Sequence, residues 1–310
     1  MAKIAFLGPP GTFTEEALLS QPDLAGGDLL PIRSIPEVIA AVERGDADLG
    51  IVPIENSIEG SVNVTLDTLA FGSELLIQRE VVLGIDLNLC ARPGTELSQV
   101  KAVISHPHAT AQCREWLSRK LPGVEIVAAN STAEAAQGVA RSRARRRVAI
   151  STALAAELYG LIVLACDVED HPENQTRFVV LGQGIPCRTG HDKTSVVVFQ
   201  SQDRPGSLLG ILQEFAARAV NLTKLESRPT KRGLGSYCFF IDCEGHIDDE
   251  VVADVLRNLA AKHTVKFLGS YPVEGSGAGA RRQAAGKAWR AASGWVDQLR
   301  AQVRTGESTG

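Results

Sequence analysis

The first part of the chain, up to Leu181, alternates short apolar runs with segments of helical periodicity. Such alternation favours an α/β fold with a largely parallel sheet, because a parallel strand reaches its neighbour through a crossover helix. The predicted strands are Ile4–Leu7, Leu49–Ile54, Val81–Leu89, Ala102–Ile104, Val124–Val127, Val148–Ile150, Ile162–Leu164 and Phe178–Leu181. The predicted helices between them include Thr14–Ser20, Pro36–Glu43, Thr110–Lys120 and Ala133–Ala140.

Two of these helices begin with a capping-box pattern. Thr12 is followed three residues later by Glu15, and Ser131 by Glu134, which is the spacing that satisfies the first N–H groups of a helix. The first box follows the turn Gly8–Gly11, whose sequence is Gly-Pro-Pro-Gly. Such a turn exposes N–H groups that can bind an anion, but on its own the pattern favours an ordinary strand–helix turn.

The pattern changes after a segment rich in turn formers, Ile185–Lys193. Helical spacing recurs at Gly206–Arg218 and Glu250–Lys262. Predicted strands precede, separate and follow these helices, at Thr194–Gln200, Leu222–Leu225, Ser236–Cys243 and Val265–Leu268. The resulting order, βαββαβ, is that of a ferredoxin-like domain. Residues 273–310 are predicted to form a linker and a C-terminal tail, whose role the sequence leaves open.

Length, charge and cysteine content narrow the class of protein. A chain of 310 residues exceeds one ordinary core, so two or more domains are expected. The net charge of −4 and the absence of a DNA-binding motif argue against nucleic acid as a partner. The six cysteines show no zinc spacing. We find no signal peptide and no apolar run of about 18 residues, and therefore expect a cytoplasmic protein without a membrane partner.

Polar residues interrupt predicted strands or follow them directly in four segments. The segments are Pro53–Ser57, Ser105–His108 with Gln112, Ser151-Thr152, and Asn174–Phe178. In open α/β sheets, ligands bind beyond the carboxyl ends of strands, and Glu55–Ser57 and Ser105–His106 lie at such ends, which makes these segments candidates for a binding site.

At these segments the sequence resembles the prephenate dehydratase family, from Ile4 to about Pro272. The matching stretches are GPPGTFTEEA (8–17), PIENSIEGSVNVTLD (53–67), SHPHATAQC (105–113), NSTAEAA (130–136) and NQTRFVVLG (174–182), the last with the Thr-Arg-Phe triplet that marks the family. DRPGSLLGIL (203–212) and ESRPT (226–230) resemble the phenylalanine-binding motifs of the ACT domain in this family. Several long motifs in the correct order make a chance match improbable.

The resemblance implies a two-lobed catalytic domain like that of periplasmic solute-binding proteins, followed by a βαββαβ ACT domain. The implied catalytic domain covers residues 1–184, with lobe one at about 1–78 and 177–184 and lobe two at about 79–176. The chain is expected to cross between lobes near residues 75–85 and 168–177, and the ACT domain to cover 193–272.

The implied reaction removes the ring carboxylate of prephenate as CO2 and its C4 hydroxyl as water. Because aromatisation drives it, no metal, nucleotide or redox cofactor is expected. The resemblance assigns Thr176 as hydrogen-bond donor to the departing oxygen and Arg177 as a carboxylate clamp, although a structural salt bridge is the alternative for Arg177. The other implied site residues are Asn56, Ser105 and Gln112 as neutral polar groups and, for substrate binding, Gly11, Thr12, Glu55, Ser57 and Phe178. For His106 and His108, loop structure is favoured over a metal pair.

Regulation by L-phenylalanine is implied for the ACT domain. The residues expected to bind it are Asp203, Pro205, Gly206, Ser207, Leu208 and Leu209, with Glu226, Ser227, Arg228 and Pro229 from the second motif. Serine stands at 207 where the family usually has alanine, which bears on affinity more than on binding itself. The second motif contributes across an ACT dimer interface in the family, so a homodimer or homotetramer is expected.

Three alternatives remain open from the sequence. Arogenate dehydratase differs only in a substrate amine in place of the keto group. A non-catalytic binding protein with two lobes is opposed by the Thr-Arg-Phe triplet at 176–178. A transcriptional regulator acting through the ACT domain lacks a DNA-binding motif.

Overall fold

The computed structural model of the protein describes residues 1–142, 144, 146–200, 204–231, 236–273 and 294–302. The chain forms two compact units, Met1–Leu75 with Glu80–Gly182, and Leu76–Arg79 with the described residues from Gln183 onward. The sequence predicts two lobes, an ACT domain and a tail, which is more than the two compact units distinguish. The predicted boundaries therefore stay a prediction.

The first unit contains strands and helices that alternate as the sequence predicts. The strands are β1 (Lys3–Leu7), β2 (Asp28–Ile32), β3 (Leu49–Asn56), β4 (Gly60–Ser61), β5 (Leu76–Gly84, which enters this unit at Glu80), β6 (Asn88–Ala91), β7 (Ala102–Ser105), β8 (Glu125–Ala128), β9 (Arg147–Ser151), β10 (Ile162–Ala165) and β11 (Gln175–Gly182). The helices are α1 (Phe13–Leu19), α2 (Pro22–Ala25), α3 (Ile35–Glu43), α4 (Asn63–Phe71), α5 (Pro107–Gln112), α6 (Arg114–Lys120), α7 (Thr132–Arg141) and α8 (Ala153–Leu158), with a 3-10 turn at Leu97–Gln99.

These strands form two sheets, which we call lobe one and lobe two. Lobe one has the strand order β2-β1-β3-β11-β5, with β4 paired to β3, and lobe two has the order β10-β6-β9-β7-β8. The prediction of a largely parallel arrangement is only partly right. Strands β2, β1 and β3 run parallel, as do β9, β7 and β8, whereas β11 pairs antiparallel with β3 and β6 antiparallel with β9 and β10.

Each lobe has its own apolar core. In lobe one, Ile4, Phe6, Ile51 and Phe178 pack against α1. In lobe two, one cluster forms around Leu89, Val103 and Val148, and a second lies between α7 and α8. Burial of both faces explains why the strands read as continuous apolar runs rather than as alternating ones.

Both predicted capping boxes are confirmed. The N–H of Glu15 donates to Thr12 Oγ1 (3.4 Å), and the N–H of Glu134 donates to Ser131 Oγ (3.0 Å). In return, each glutamate side chain accepts a backbone N–H from the residue before the cap, Gly11 or Asn130. The helix starts are therefore set locally by the sequence.

Two predicted elements divide in the structure. The predicted strand Val81–Leu89 becomes the end of β5 and the start of β6, because residues 85–87 carry the chain from one sheet to the other. The predicted helix Thr110–Lys120 becomes α5, which begins at Pro107 where a proline fits the first helical position, and α6, with the break at Cys113.

The second unit confirms the βαββαβ prediction. Its elements are β12 (Asp192–Phe199), α9 (Ser207–Ala216), β13 (Leu222–Pro229), β14 (Tyr237–Glu244), α10 (Glu250–Lys262) and β15 (Thr264–Pro272). The sheet is antiparallel, in the order β13-β14-β12-β15. Both helices bury apolar residues such as Phe215 and Leu259 against one face of it. Residues 294–300 are helical and exposed, and the described residues contain no helix long and apolar enough to span a membrane.

Candidate active site

Asn56 and Thr176 face each other at paired positions of β3 and β11. The side-chain amide of Asn56 donates to Thr176 Oγ1 over 2.8 Å. Its carbonyl oxygen accepts the backbone N–H groups of Ile58 (3.0 Å) and Glu59 (2.9 Å). Because a backbone N–H can only donate, these contacts fix the amide with its nitrogen toward Thr176.

The hydroxyl of Thr176 is consequently held as an acceptor while its own hydrogen stays available. Within the described part of the chain, no group accepts that hydrogen, and the side chain is 8% exposed. A hydroxyl held in this way is oriented to donate to a bound ligand without first breaking a protein hydrogen bond.

Asn174 and Gln112 extend this cluster to lobe two. Asn174 Oδ1 accepts from Asn56 Nδ2 (2.9 Å) and from Ser57 Oγ (3.2 Å), and its nitrogen donates to Gln112 Oε1 over 3.0 Å. Gln112 lies at the end of α5 in lobe two, whereas Asn56 and Ser57 belong to lobe one. The predicted residues Asn56, Ser57, Gln112 and Thr176 are therefore brought together.

Glu59 is a member of this neighbourhood that the sequence reasoning missed. Its carboxylate accepts from Gln112 Nε2 (3.4 Å) and lies 2.8 Å from His108 Nδ1. His108 stacks on His106, with ring centroids 5.2 Å apart, and burial lowers the pKa of His106. The signal that could have found Glu59 is its place in the quoted motif 53–67, at the turn after β3.

Arg177 points away from this cluster. Successive residues of a strand face opposite sides of the sheet, and Arg177 is opposite Glu55 while Thr176 is opposite Asn56. The guanidinium is 2.9 Å from the Glu55 carboxylate and 3.4 Å from that of Glu80, which is 3% exposed. A substrate carboxylate would have to displace these ion pairs, so the predicted clamp stays a prediction, as does substrate binding by Glu55.

The side chains of Ser105 and Phe178 make their contacts within their own lobes. Ser105 is fully buried and its hydroxyl donates to the carbonyl of Ile150 over 2.7 Å, which ties β7 to β9. Phe178 is 1% exposed and belongs to the core of lobe one. In the described residues, neither side chain is hydrogen-bonded to the Asn56–Thr176 cluster, and their predicted roles are not tested by these contacts.

Gly11 and Thr12 lie where the first turn of lobe one meets lobe two. The carbonyl of Gly11 accepts from Thr152 Oγ1 (2.8 Å), and a Cβ at Gly11 would lie 2.9 Å from Ala155, so the close approach requires glycine. The Gly11 N–H already donates to the Glu15 carboxylate, and Thr12 Oγ1 donates to the Leu7 carbonyl over 2.9 Å. The predicted use of these N–H groups for a substrate carboxylate stays a prediction.

The carboxylates of Asp86, Asp167 and Glu169 lie within 4.8 Å of one another and could hold a metal ion. Exposed acidic groups are common without one, and this group shares no residue with the Asn56–Thr176 cluster.

The second unit contains a cavity of about 440 Å³ beside the start of α9. Gly206 caps this helix with φ 86°, a conformation that favours glycine. The lining includes the predicted residues Gly206, Ser207, Leu208, Leu209 and Ser227. The other predicted residues lie elsewhere or are not described: Pro205, Glu226, Arg228 and Pro229 are outside the lining, and Asp203 is outside the described residues.

Side chains alternate between the two faces of a strand, which explains why Ser227 lines the cavity and its neighbour Glu226 does not. In β13, Glu226 lies 3.3 Å from both Lys224 and Arg228, on the face opposite Ser227. Glu226 and Arg228 therefore do not reach the cavity of their own subunit, and their predicted role stays a prediction.

Comparison with known proteins agrees with this architecture. The model of the prephenate dehydratase family matches residues 4–185, and that of the ACT domain matches residues 195–261. A prephenate dehydratase of Mycolicibacterium vanbaalenii is 48% identical over 288 residues, covering 88% of this chain and 91% of the relative. The crystal structure of prephenate dehydratase from Arthrobacter aurescens in complex with L-Phe is 44% identical, covers 96% of this chain and 99% of that one, and has a TM-score of 0.88.

A further solved structure, GqqA, is described as a novel type of quorum-quenching acylase. It is 31% identical, with a TM-score of 0.79, and the match covers 88% of this chain and 98% of that one. The family model covers more than half of the chain, and the identity to curated relatives extends over nearly its whole length. The chain therefore belongs to the prephenate dehydratase family and ends in an ACT domain.

Proposed function

We propose that the protein converts prephenate to phenylpyruvate, CO2 and water. The observation that carries this proposal is the Thr176 hydroxyl, which accepts from Asn56 and keeps its hydrogen for a ligand. In the reaction, the bond from the ring to its carboxylate breaks and its electron pair enters the ring, while the bond from C4 to oxygen breaks. The departing hydroxide takes a proton and leaves as water.

The role of Thr176 is to donate a hydrogen bond to the C4 oxygen as negative charge develops on it. A well-aligned donor of this kind is worth about 10²- to 10³-fold in rate. A threonine hydroxyl is too weak an acid to give up its proton without a water or neighbour that completes the transfer. Asn56 orients the hydroxyl, and Gln112 contributes a polar group from lobe two. The reaction needs no redox or metal chemistry, because aromatisation drives it.

The decisive experiment follows phenylpyruvate by absorbance after prephenate is added to the purified full-length chain. Turnover of prephenate supports the proposal. Turnover of arogenate, measured by its product L-phenylalanine because the amine is retained, at a higher kcat/KM would instead assign the chain as an arogenate dehydratase. Binding of prephenate without turnover would identify a two-lobe binding protein, and acylase activity without dehydration would place it with the acylase to which it is similar.

We also propose that L-phenylalanine inhibits the enzyme by binding to the cavity beside α9. Its volume of about 440 Å³ lies in the range of small-molecule sites, about 300–1,000 Å³. Leu208 and Leu209 offer apolar surface for a phenyl ring, and the first N–H groups of α9 can donate to its carboxylate. The crystal structure of the Arthrobacter aurescens relative contains L-Phe. Calorimetric titration with L-phenylalanine tests the binding, and prephenate turnover at increasing L-phenylalanine tests the inhibition.

The quaternary structure and cellular location belong to the same proposal. A homodimer or homotetramer would bring Glu226, Arg228 and Pro229 of one subunit to the cavity of another, which fits the position of these three residues outside their own cavity. Light scattering of the full chain with and without L-phenylalanine measures the state. We place the enzyme in the cytoplasm, where an amino-acid biosynthetic activity has its substrates.

A further inference from the structure

Asn174 is one of four residues in a closed ring of hydrogen bonds that joins the two lobes. The N–H of Glu59 donates to Asn56 Oδ1 (2.9 Å), and Asn56 Nδ2 donates to Asn174 Oδ1 (2.9 Å). Asn174 Nδ2 donates to Gln112 Oε1 (3.0 Å), and Gln112 Nε2 returns to the Glu59 carboxylate (3.4 Å). The ring thus begins and ends at the same residue.

The direction of every bond in this ring is determined. The backbone N–H of Glu59 can only donate and the Glu59 carboxylate can only accept when ionised. Each amide between them must therefore present its oxygen to the previous member and its nitrogen to the next. Asn174 is 1% exposed, so no bulk water compensates if its amide turns or if one of its groups loses a partner.

The ring also sets the geometry of the Thr176 hydroxyl. The same Asn56 nitrogen that donates to Asn174 donates to Thr176 Oγ1 over 2.8 Å. Backbone bonds fix the position of Asn174, because its N–H donates to the His171 carbonyl (3.2 Å) and its carbonyl accepts from Ile85 (2.9 Å). These bonds lie where the chain passes between the lobes.

We infer that Asn174 is a positioning residue for the dehydration step, which holds Gln112 of lobe two in register with the Asn56–Thr176 pair of lobe one. The inference rests on the proposed function, since it assigns a role within that site. It requires a side chain at 174 that both accepts from lobe one and donates to lobe two. Asparagine meets both requirements, whereas an ionised aspartate of the same shape meets only the first.

The test variant is Asn174→Asp, which keeps the shape of the side chain and removes the donor of one bond. At neutral pH its carboxylate still accepts from Asn56 but meets the Gln112 oxygen without a hydrogen between them. Misplacement of a reacting group by about 1 Å costs on the order of 100-fold in rate, so kcat for prephenate is expected to fall by about 10- to 100-fold. The KM should change less, because the residue acts on alignment rather than on binding.

Two further measurements separate positioning from a merely structural role. A protonated carboxyl group donates as an amide does, so the deficit of N174D is expected to shrink as the pH is lowered from about 8 to about 5, as burial raises carboxyl pKa values. The double variant N174D/E59Q supplies a donor at position 59. The Gln112 amide can then turn, so that its nitrogen donates to position 174 and its oxygen accepts from position 59. Its kcat should exceed that of N174D.

A matched control is Asn258→Asp in α10, which removes an amide that donates to the Asp254 carbonyl over 2.8 Å in the second unit. Its turnover without L-phenylalanine should equal that of the unmodified enzyme. Thermal unfolding is measured for every variant. If the unmodified enzyme turns over prephenate and N174D keeps its kcat, or loses it equally at every pH without rescue by E59Q, the inference is overturned. If the unmodified enzyme shows no turnover, the proposed function itself fails.

Discussion

Replacing Thr176 by valine is expected to affect catalysis much more than folding. Valine keeps the branched shape of threonine and replaces only the hydroxyl, by a methyl group. In the folded protein, that hydroxyl takes part in one hydrogen bond among the described residues, accepted from Asn56. The Asn56 nitrogen retains Asn174 Oδ1 at 2.9 Å and the carbonyl of Gln175 at 3.3 Å. The cost to the free energy of unfolding is therefore about 1 kcal/mol, the net worth of one hydrogen bond.

The expected cost to catalysis is larger. Loss of a donor aimed at developing negative charge lowers kcat by about 10²- to 10³-fold, or about 2.7–4 kcal/mol in the activation barrier. Thr176→Ser is the matched control, because serine restores a hydroxyl at the same branch and should recover most of the rate. The assay measures kcat and KM for prephenate by phenylpyruvate absorbance, with urea unfolding of each variant. A kcat for T176V within about threefold of the unmodified enzyme, where at least 100-fold is expected, would refute the reasoning.

Three further predictions concern other parts of the chain. Arg177→Met removes the guanidinium from the buried carboxylate of Glu80 and should lower the free energy of unfolding by about 1.5–3 kcal/mol in urea, the worth of a hydrogen bond to a charged group; an unchanged midpoint would contradict the ion-pair role. Gly206→Ala places a Cβ at φ 86°, which costs about 1–2 kcal/mol. Because a turn that relaxes to relieve this strain moves the N–H groups at the start of α9, calorimetry should show L-phenylalanine binding weakened by up to about tenfold. Burial raises the pKa of Glu16 and of Glu169, so their ionised forms destabilise the native state, and this penalty is relieved as pH falls through the raised pKa values. Glu16→Gln and Glu169→Gln should therefore raise the urea midpoint at neutral pH, with a gain that vanishes near the ordinary carboxyl pKa; a gain that is the same at every pH would contradict this.

Much of the fold was predictable because the local signals agree with the global arrangement. The capping boxes at Thr12 and Ser131 set helix starts that the structure confirms, and α10 begins and ends at the predicted residues. Strand β2 was missed because it contains Pro31 and lies half-exposed at the edge of its sheet, where proline is tolerated but weakens the pattern. Helix α4 was missed because Asn63–Phe71 has no clear apolar stripe.

The site was predictable as a set of segments but not as a set of contacts. Polar residues after β3 and before β11 do converge, as the sheet topology requires. The motif alone does not reveal that adjacent residues face opposite sides of the sheet. Period-two alternation directs Thr176 to the polar cluster and Arg177 to Glu55 and Glu80.

The least predictable feature is the direction of the hydrogen bonds, and it is the one on which the chemistry depends. Asparagine and glutamine carry both a donor and an acceptor, so residue types alone allow each link of the ring to run either way. The backbone N–H groups of Ile58 and Glu59 remove that freedom, because they force the Asn56 oxygen toward themselves and its nitrogen toward Thr176. If the Asn56 amide were reversed, its oxygen would accept the Thr176 hydrogen and leave none for the substrate. The turn after β3 therefore decides whether the threonine hydroxyl can act as a donor, although none of the described hydrogen bonds joins a side chain of that turn to it.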